Sequence, residues 1–246
     1  MYICILLPSI FALYALYKRK LTIPAIIAAW IMGIIITYYG GILAFSALAL
    51  TFILTILSDR LKDAPKEEKR NIYQIFSNVL TACLCIILYH IKHTDLFMVM
   101  YYAVITSSLA DTLASSIGTL SKDEPRHPLT LQKMKKGESG AVSFLGIAAS
   151  LSAGLIIGSI YYYSSQNIYN TLIIILMGAL GAYFDSILGA FMQGKYKCQV
   201  CHKQVEERVH HNKKTKLIKG YPLIDNNAVN LLSNILVFLL TYLLLK

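Results

Sequence analysis

Charge is scarce in this chain. Only 15% of its 246 residues are Asp, Glu, Lys or Arg, against about 25% in a soluble globular domain. That shortage argues against a fold kept in solution by a charged surface. Acidic side chains are the scarcer kind, 13 against 23 basic. There is no stretch rich in Pro, Gly or Ser to mark a linker, so residues 1–246 read as a single domain. Cysteines number five. Cys4, Cys83 and Cys85 lie in apolar segments, where a reduced cysteine behaves as a small hydrophobe, so a disulfide framework is not indicated. Also missing are a Walker loop, a kinase catalytic loop, a Ser/His/Asp or Cys/His pair at recognisable spacing, and any base-reading motif. A nucleic-acid partner is therefore not invoked for the net charge of +10.

Hydrophobic residues are abundant, at 56%, and fall into blocks near membrane-spanning length. The expected class is an all-α polytopic integral membrane protein with seven or eight transmembrane helices. The candidate spans are about 2–17, 21–39, 42–58, 74–91, 97–118, 141–163, 169–192 and 228–245. Gly40-Gly41 makes the connection between the second and third very tight. The first segment reads as a retained helix rather than a leader, because its positive charges follow it. With eight spans, the stretches 18–20, 59–73, 119–140 and 193–227 fall on one side and carry 3, 5, 5 and 8 Lys or Arg, 21 of the 23 in the chain. The positive-inside rule places these loops in the cytoplasm and both termini outside, in a multi-pass protein of the cell membrane.

Polar side chains recur at helical spacing. Ser108, Asp111, Thr112, Ser115 and Thr119 share a face of the fifth span, and Gly178, Gly181, Asp185, Gly189 and Gln193 a face of the seventh. Arg70, Gln74, Ser77, Asn78 and Thr81 line up in the fourth, and Asn226, Asn230, Ser233 and Asn234 in the eighth. The bland reading is helix packing, favoured for Gly178, Gly181, Ser143, Gly146 and Gly154. Asp111 and Asp185 resist it, since a carboxylate at membrane depth costs about 2.5–3.5 kcal/mol on insertion scales. All these clusters fall toward the basic side. A transporter of lipid phosphate or ions would ordinarily want polar groups near the midplane. One-sided polarity instead favours an enzyme acting at the cytoplasmic interface on a lipid-anchored substrate.

Carboxylates with Asn and hydroxyl oxygens are hard ligands suited to Mg²⁺ and substrate phosphates. Asp111, Asp185 and Asp225 are the expected metal residues, oriented by Asn78, Asn227 and Asn230. Arg70, Lys135 and Lys136 would hold phosphate oxygens, and Gly137 and Gly140 would let backbone amides approach an anion. Metal, cationic clamps and positioning are the requirements of phosphoryl transfer.

The ordered motifs Arg70…Gln74…Asn78, Asp111-Thr112…Ala114-Ser115…Gly118, Gly137-Glu138-Ser139-Gly140…Ser143…Gly146, Gly178…Gly181…Asp185-Ser186…Gly189…Gln193 and Asp225-Asn226-Asn227…Asn230 resemble the DUF92 family. That family includes the transmembrane protein 19 group and plant phytyl-phosphate kinase. The likeness runs from about residue 60 to the C-terminus. It also extends distantly to CTP-dependent dolichol and phytol kinases and to CDP-diacylglycerol synthases. The resemblance implies phosphorylation of an isoprenyl monophosphate to the diphosphate by a nucleoside triphosphate, CTP or ATP. It implies catalytic roles for Asp111, Asp185, Lys136 and Glu138, with Lys135, Lys136 and Glu138 as a nucleotide-side motif. Thr112, Ser115, Ser139, Ser186 and Gln193 join the binding set. Cytidylyl transfer to make a CDP-lipid, or transport using the same aspartates, are the alternatives. Lipid chain length and oligomeric state are left open.

Cys198-Gln199-Val200-Cys201 sits in the longest basic loop. A Cys-x-x-Cys is half of a tetrahedral zinc site, and His210 and His211 are the residues that would complete it. The competing reading is a Lys- and His-rich loop with incidental cysteines.

Overall fold

The computed structural model describes residues 2–61 and 69–246. Helices dominate: α1 (Tyr2–Tyr17), α2 (Ile23–Asp59), α3 (Ile72–Lys92), α4 (Asp95–Gly118), α5 (Phe144–Ser165), α6 (Ile168–Phe191) and α7 (Asn226–Leu245). Six of these, all but the 16-residue α1, are long and apolar enough to cross a membrane.

The expected second and third spans are the two limbs of α2. A straight helix of 37 residues would be about 55 Å long, nearly twice the thickness of a hydrocarbon core. Instead Gly41 leaves the helical region, at φ 81° and ψ −179°, a conformation open to glycine because it has no Cβ. The chain reverses there. Both ends of α2 consequently meet at Arg70: its backbone oxygen accepts from Thr22 N at 3.0 Å, and its guanidinium reaches Asp59 at 2.7 Å. Eighteen residues on either side of Gly41 give each limb about 27 Å, enough to span.

Burial places α4 at the centre. Every side chain from Val99 to Ala110 is buried, and the helix packs against α2, α3, α5, α6 and α7. A helix that is apolar all round belongs in a core rather than at a lipid face. Small residues set its approach to α6. A Cβ built on Gly178 would lie 2.1 Å from the Thr106 side chain, and one on Gly181 2.1 Å from Ser107 Oγ. The packing role expected of these glycines is borne out. Asp111 follows this buried run directly, about two turns before α4 ends at Gly118.

The loops of the basic side lie together. Leu21 bridges Arg70, and Arg126 pairs with Val142. Asn71 and Gln74 form a reciprocal cap on α3, and Ser143 caps α5 while donating to Gly118 O at 3.1 Å. In the stretch 59–73, Lys62 and Lys66 lie outside the described residues.

One segment departs from the all-helical expectation. Between α6 and α7 the chain forms β1 (Lys195–Lys197), β2 (Gln204–Val205), β3 (Val209–His210), β4 (Lys213–Lys214) and β5 (Lys216–Lys219). These make an antiparallel sheet in the order β2-β1-β5 and a β3-β4 hairpin. An open sheet edge needs water for its unpaired backbone groups, so this element belongs outside the hydrocarbon region.

Candidate active site

Asp111 near the end of α4 and Asp185 on α6 converge, their carboxyl groups within hydrogen-bond reach of each other. Asp185 is only 9% exposed. Ser233 Oγ of α7 donates to its Oδ2 at 3.4 Å. The Asn230 amide, oriented to satisfy its surroundings, donates to the same oxygen at 3.0 Å and to Asn226 O at 2.9 Å. Two adjacent carboxylates repel unless a cation or proton lies between them. Their oxygens, with nearby amide and hydroxyl groups, form a donor set that fits Mg²⁺.

The pair lies in a polar cavity of about 610 Å³. Arg70, Asn78, Thr112, Ser115, Ser186 and Asn230 line it, as do Lys136, Gly137, Glu138, Ser139 and Gly140 from the loop before α5. The loop presses directly on α6: a Cβ on Gly140, at φ +83°, would lie 2.5 Å from Ala190 N and 2.6 Å from Ser186 O. No other residue fits that crossing without displacing the backbone.

Some expected residues have other work. Asp225 caps α7, accepting from Ala228 N at 2.9 Å, and does not line the cavity. Its position one residue before the helix explains this, since Asp is a favoured N-cap. Asn227 donates to Asp225 Oδ2 at 3.4 Å and does not line the cavity, whereas Asn226 does. Lys135 is exposed and outside the lining. Lys136 lines the cavity while donating to Ser121 O. Arg70 is engaged with Asp59. Gln193 lies beneath the loop, 2% exposed, its Oε1 accepting from Ser139 Oγ at 2.6 Å.

Two residues were not legible as site residues. Lys195 of β1 is 2% exposed and its ammonium reaches Glu138 Oε1 and Ser139 O, each at 3.1 Å. Burial opposes the Glu138 charge, but the Lys195 ammonium, with hydrogen bonds from the Lys135 backbone and Gln204, outweighs it and holds the carboxyl below its ordinary range. Glu206, just after β2, lines the cavity and its charge acts on Asp185. The Lys-Tyr-Lys alternation around Lys195 is a strand signal, yet in a basic loop it reads as orientation charge.

Beside the polar cavity runs an apolar groove of about 110 Å³ between α1, both limbs of α2, α3 and α4. Phe11, Phe45, Leu48 and Phe52 form its walls, and it meets the cavity at Arg70, Gln74, Asn78 and Thr112. In the β segment, the side chains of Cys198, Cys201, His210 and His211 come together.

The integral membrane protein family DUF92 matches residues 6–238. An uncharacterized membrane protein of Methanocaldococcus jannaschii is 29% identical over 79% of this chain and 84% of its own length. Another from Synechocystis is 28% identical over 75% of this chain and 77% of its own. Protein PGR of Arabidopsis thaliana is 34% identical over 53% of this chain and 49% of its length. No solved structure matches.

Proposed function

This chain belongs to the DUF92 family of integral membrane proteins, and on that footing we propose that it is a Mg²⁺-dependent phosphotransferase acting on an isoprenyl monophosphate. It moves the terminal phosphate of a nucleoside triphosphate, CTP in the first instance, onto the lipid phosphate. The observation that carries this reading is the Asp111–Asp185 pair in a polar cavity that shares a wall with an apolar groove. A headgroup and a tail need adjoining sites of these two kinds.

In this reading Asp111 and Asp185 hold the metal, and Ser233 and Asn230 keep the Asp185 carboxylate in place. The ion, when bound, neutralises charge on the transferring phosphate oxygens. Lys136 exchanges its contact with Ser121 O for a donor phosphate, on a loop braced by Lys195 and Gln193. An oxygen of the lipid phosphate attacks the terminal phosphorus and the bond to the bridging oxygen breaks, releasing the nucleoside diphosphate. The acceptor is already an anion, so no strong general base is required. The tail lies in the groove walled by Phe11, Phe45 and Phe52. The basic loops around the cavity support a site at the cytoplasmic leaflet, by the positive-inside rule.

The test uses purified protein in nanodiscs with Mg²⁺, labelled nucleoside triphosphates and a panel of isoprenyl monophosphates. Label in an isoprenyl diphosphate, absent from Asp111→Asn, is the expected result. A cytidylated lipid with released pyrophosphate would replace transfer of phosphate by transfer of the nucleotide. Lipid-phosphate movement across proteoliposomes with no nucleotide consumed would replace the enzyme by a transporter.

A further inference from the structure

A second constellation of chemical groups lies outside the carboxylate site, in the β segment. Cys198 and Cys201 follow β1, and His210 and His211 stand at the end of β3 and just beyond it. Their ligand atoms all lie within 4.8 Å of one another. We propose that Cys198, Cys201, His210 and His211 bind one structural zinc ion, which clasps this segment and holds Glu206 in the cavity wall.

The geometry is near that of a tetrahedral site. Zinc bonds of about 2.3 Å to sulfur and about 2.0 Å to nitrogen imply ligand-to-ligand edges of about 3.3–3.8 Å. Cys201 Sγ and His210 Nδ1 are already 3.7 Å apart. The widest pair, at no more than 4.8 Å, closes with a shift of about 1 Å on metal binding. The backbone is shaped for convergence: His202, His211 and Asn212 adopt left-handed φ values of 56°, 52° and 56°, which fold the chain tightly beside each ligand pair. Val200 N donates to Cys198 Sγ at 3.3 Å, a hydrogen bond of the kind that supports a metal thiolate. Cys198 is fully buried, and both cysteines are free thiols.

Two thiolates and two imidazoles select zinc over the hard cation expected at the aspartates. All four coordination positions come from protein, which leaves no open position for catalysis and makes the role structural. The leverage is positional. The ligand pairs bracket Glu206, which lines the polar cavity. Three residues before Cys198 stands Lys195, which grips Glu138 and Ser139 O. Closing residues 198–211 around a metal therefore fixes one side of the cavity. This inference does not rest on the phosphotransferase reading.

The test is elemental analysis of the full chain, purified in detergent without an affinity histidine tag. About one zinc per chain is expected, falling to background in Cys198→Ser, Cys201→Ser and His210→Ala. Should a variant fail to fold, wild-type protein exchanged into Co²⁺ still decides: a tetrahedral thiolate site gives intense visible bands and a sulfur-to-metal charge-transfer band. Wild-type protein that carries background zinc and shows no such bands overturns the proposal, as does a Cys198–Cys201 disulfide in its mass spectrum. Both readouts are independent of phosphate transfer, so the zinc site and the enzymatic reading fail separately.

Discussion

The polar cavity and the apolar groove share a wall and almost nothing else. The cavity, about 610 Å³, gathers carboxylates, amides, hydroxyls and a lysine-bearing loop. The groove, about 110 Å³, is walled by aromatic and aliphatic side chains from α1 and α2. Their common boundary is Arg70, Gln74, Asn78 and Thr112. The difference teaches how a membrane protein keeps a charged interior and an apolar face side by side. The interior α4 carries the costly charge, where partners on α6 and α7 can satisfy it. The peripheral helices offer surface that needs no partners at all.

Removing the cavity's charge should be the sharpest break. Asp111→Asn and Asp185→Asn are each expected to lower phosphate transfer by a factor of about 10² or more, with expression and monodispersity unchanged. Full activity in both variants would remove the metal assignment. The groove should respond differently. Ala49→Trp, which fills it, is expected to raise KM for long-chain lipid phosphates by about tenfold, as one or two kcal/mol of lost burial would. A short-chain acceptor should be spared. Equal effects on both acceptors would show that the tail lies elsewhere.

A smaller effect is expected from the bracing of the loop. Lys195→Met leaves Glu138 without its ammonium and should cost about 1–3 kcal/mol of stability, less than a fully enclosed pair because Glu138 stays partly wet. The pH dependence has a definite sign. The folded-state Glu138 carboxyl is held below its ordinary value of 4.5, so its contribution is complete above that pH and is lost as pH falls through the lowered value. Thermal midpoints measured down this acid range should fall for the wild type, and the part due to Glu138 should vanish in Lys195→Met. The mildest change is Asp225→Ala, expected to cost about 1 kcal/mol as a lost helix cap. Activity should be nearly retained, whereas loss on the scale of Asp111→Asn would return Asp225 to the metal site.

Much of this was legible one residue at a time. Asp111 and Asp185 stood out because a carboxylate in an apolar run carries its own cost. Asn230 and Thr112 followed from helical spacing, and Ser186 from the family resemblance. Lys195 and Glu206 did not, because a charge in a basic loop is ordinary until a fold buries it or aims it inward. Asp225 and Asn227 looked alike with Asn226 in sequence. Only the start of α7 decided that the first would cap the helix, the second bond to that cap and the third line the cavity.

Segment length and apolar composition determined the helical spans, because a hydrocarbon core accepts only backbone that satisfies its own hydrogen bonds. The distribution of Lys and Arg determined that four loops share one side. The reversal at Gly41 was already marked by a glycine pair. Tertiary structure decided which groups became neighbours: Asp111 with Asp185 across 74 residues of chain, Lys195 with Glu138, and two cysteines with two histidines. Such pairings depend on how helices and strands pack in space, and local spacing carries no record of that.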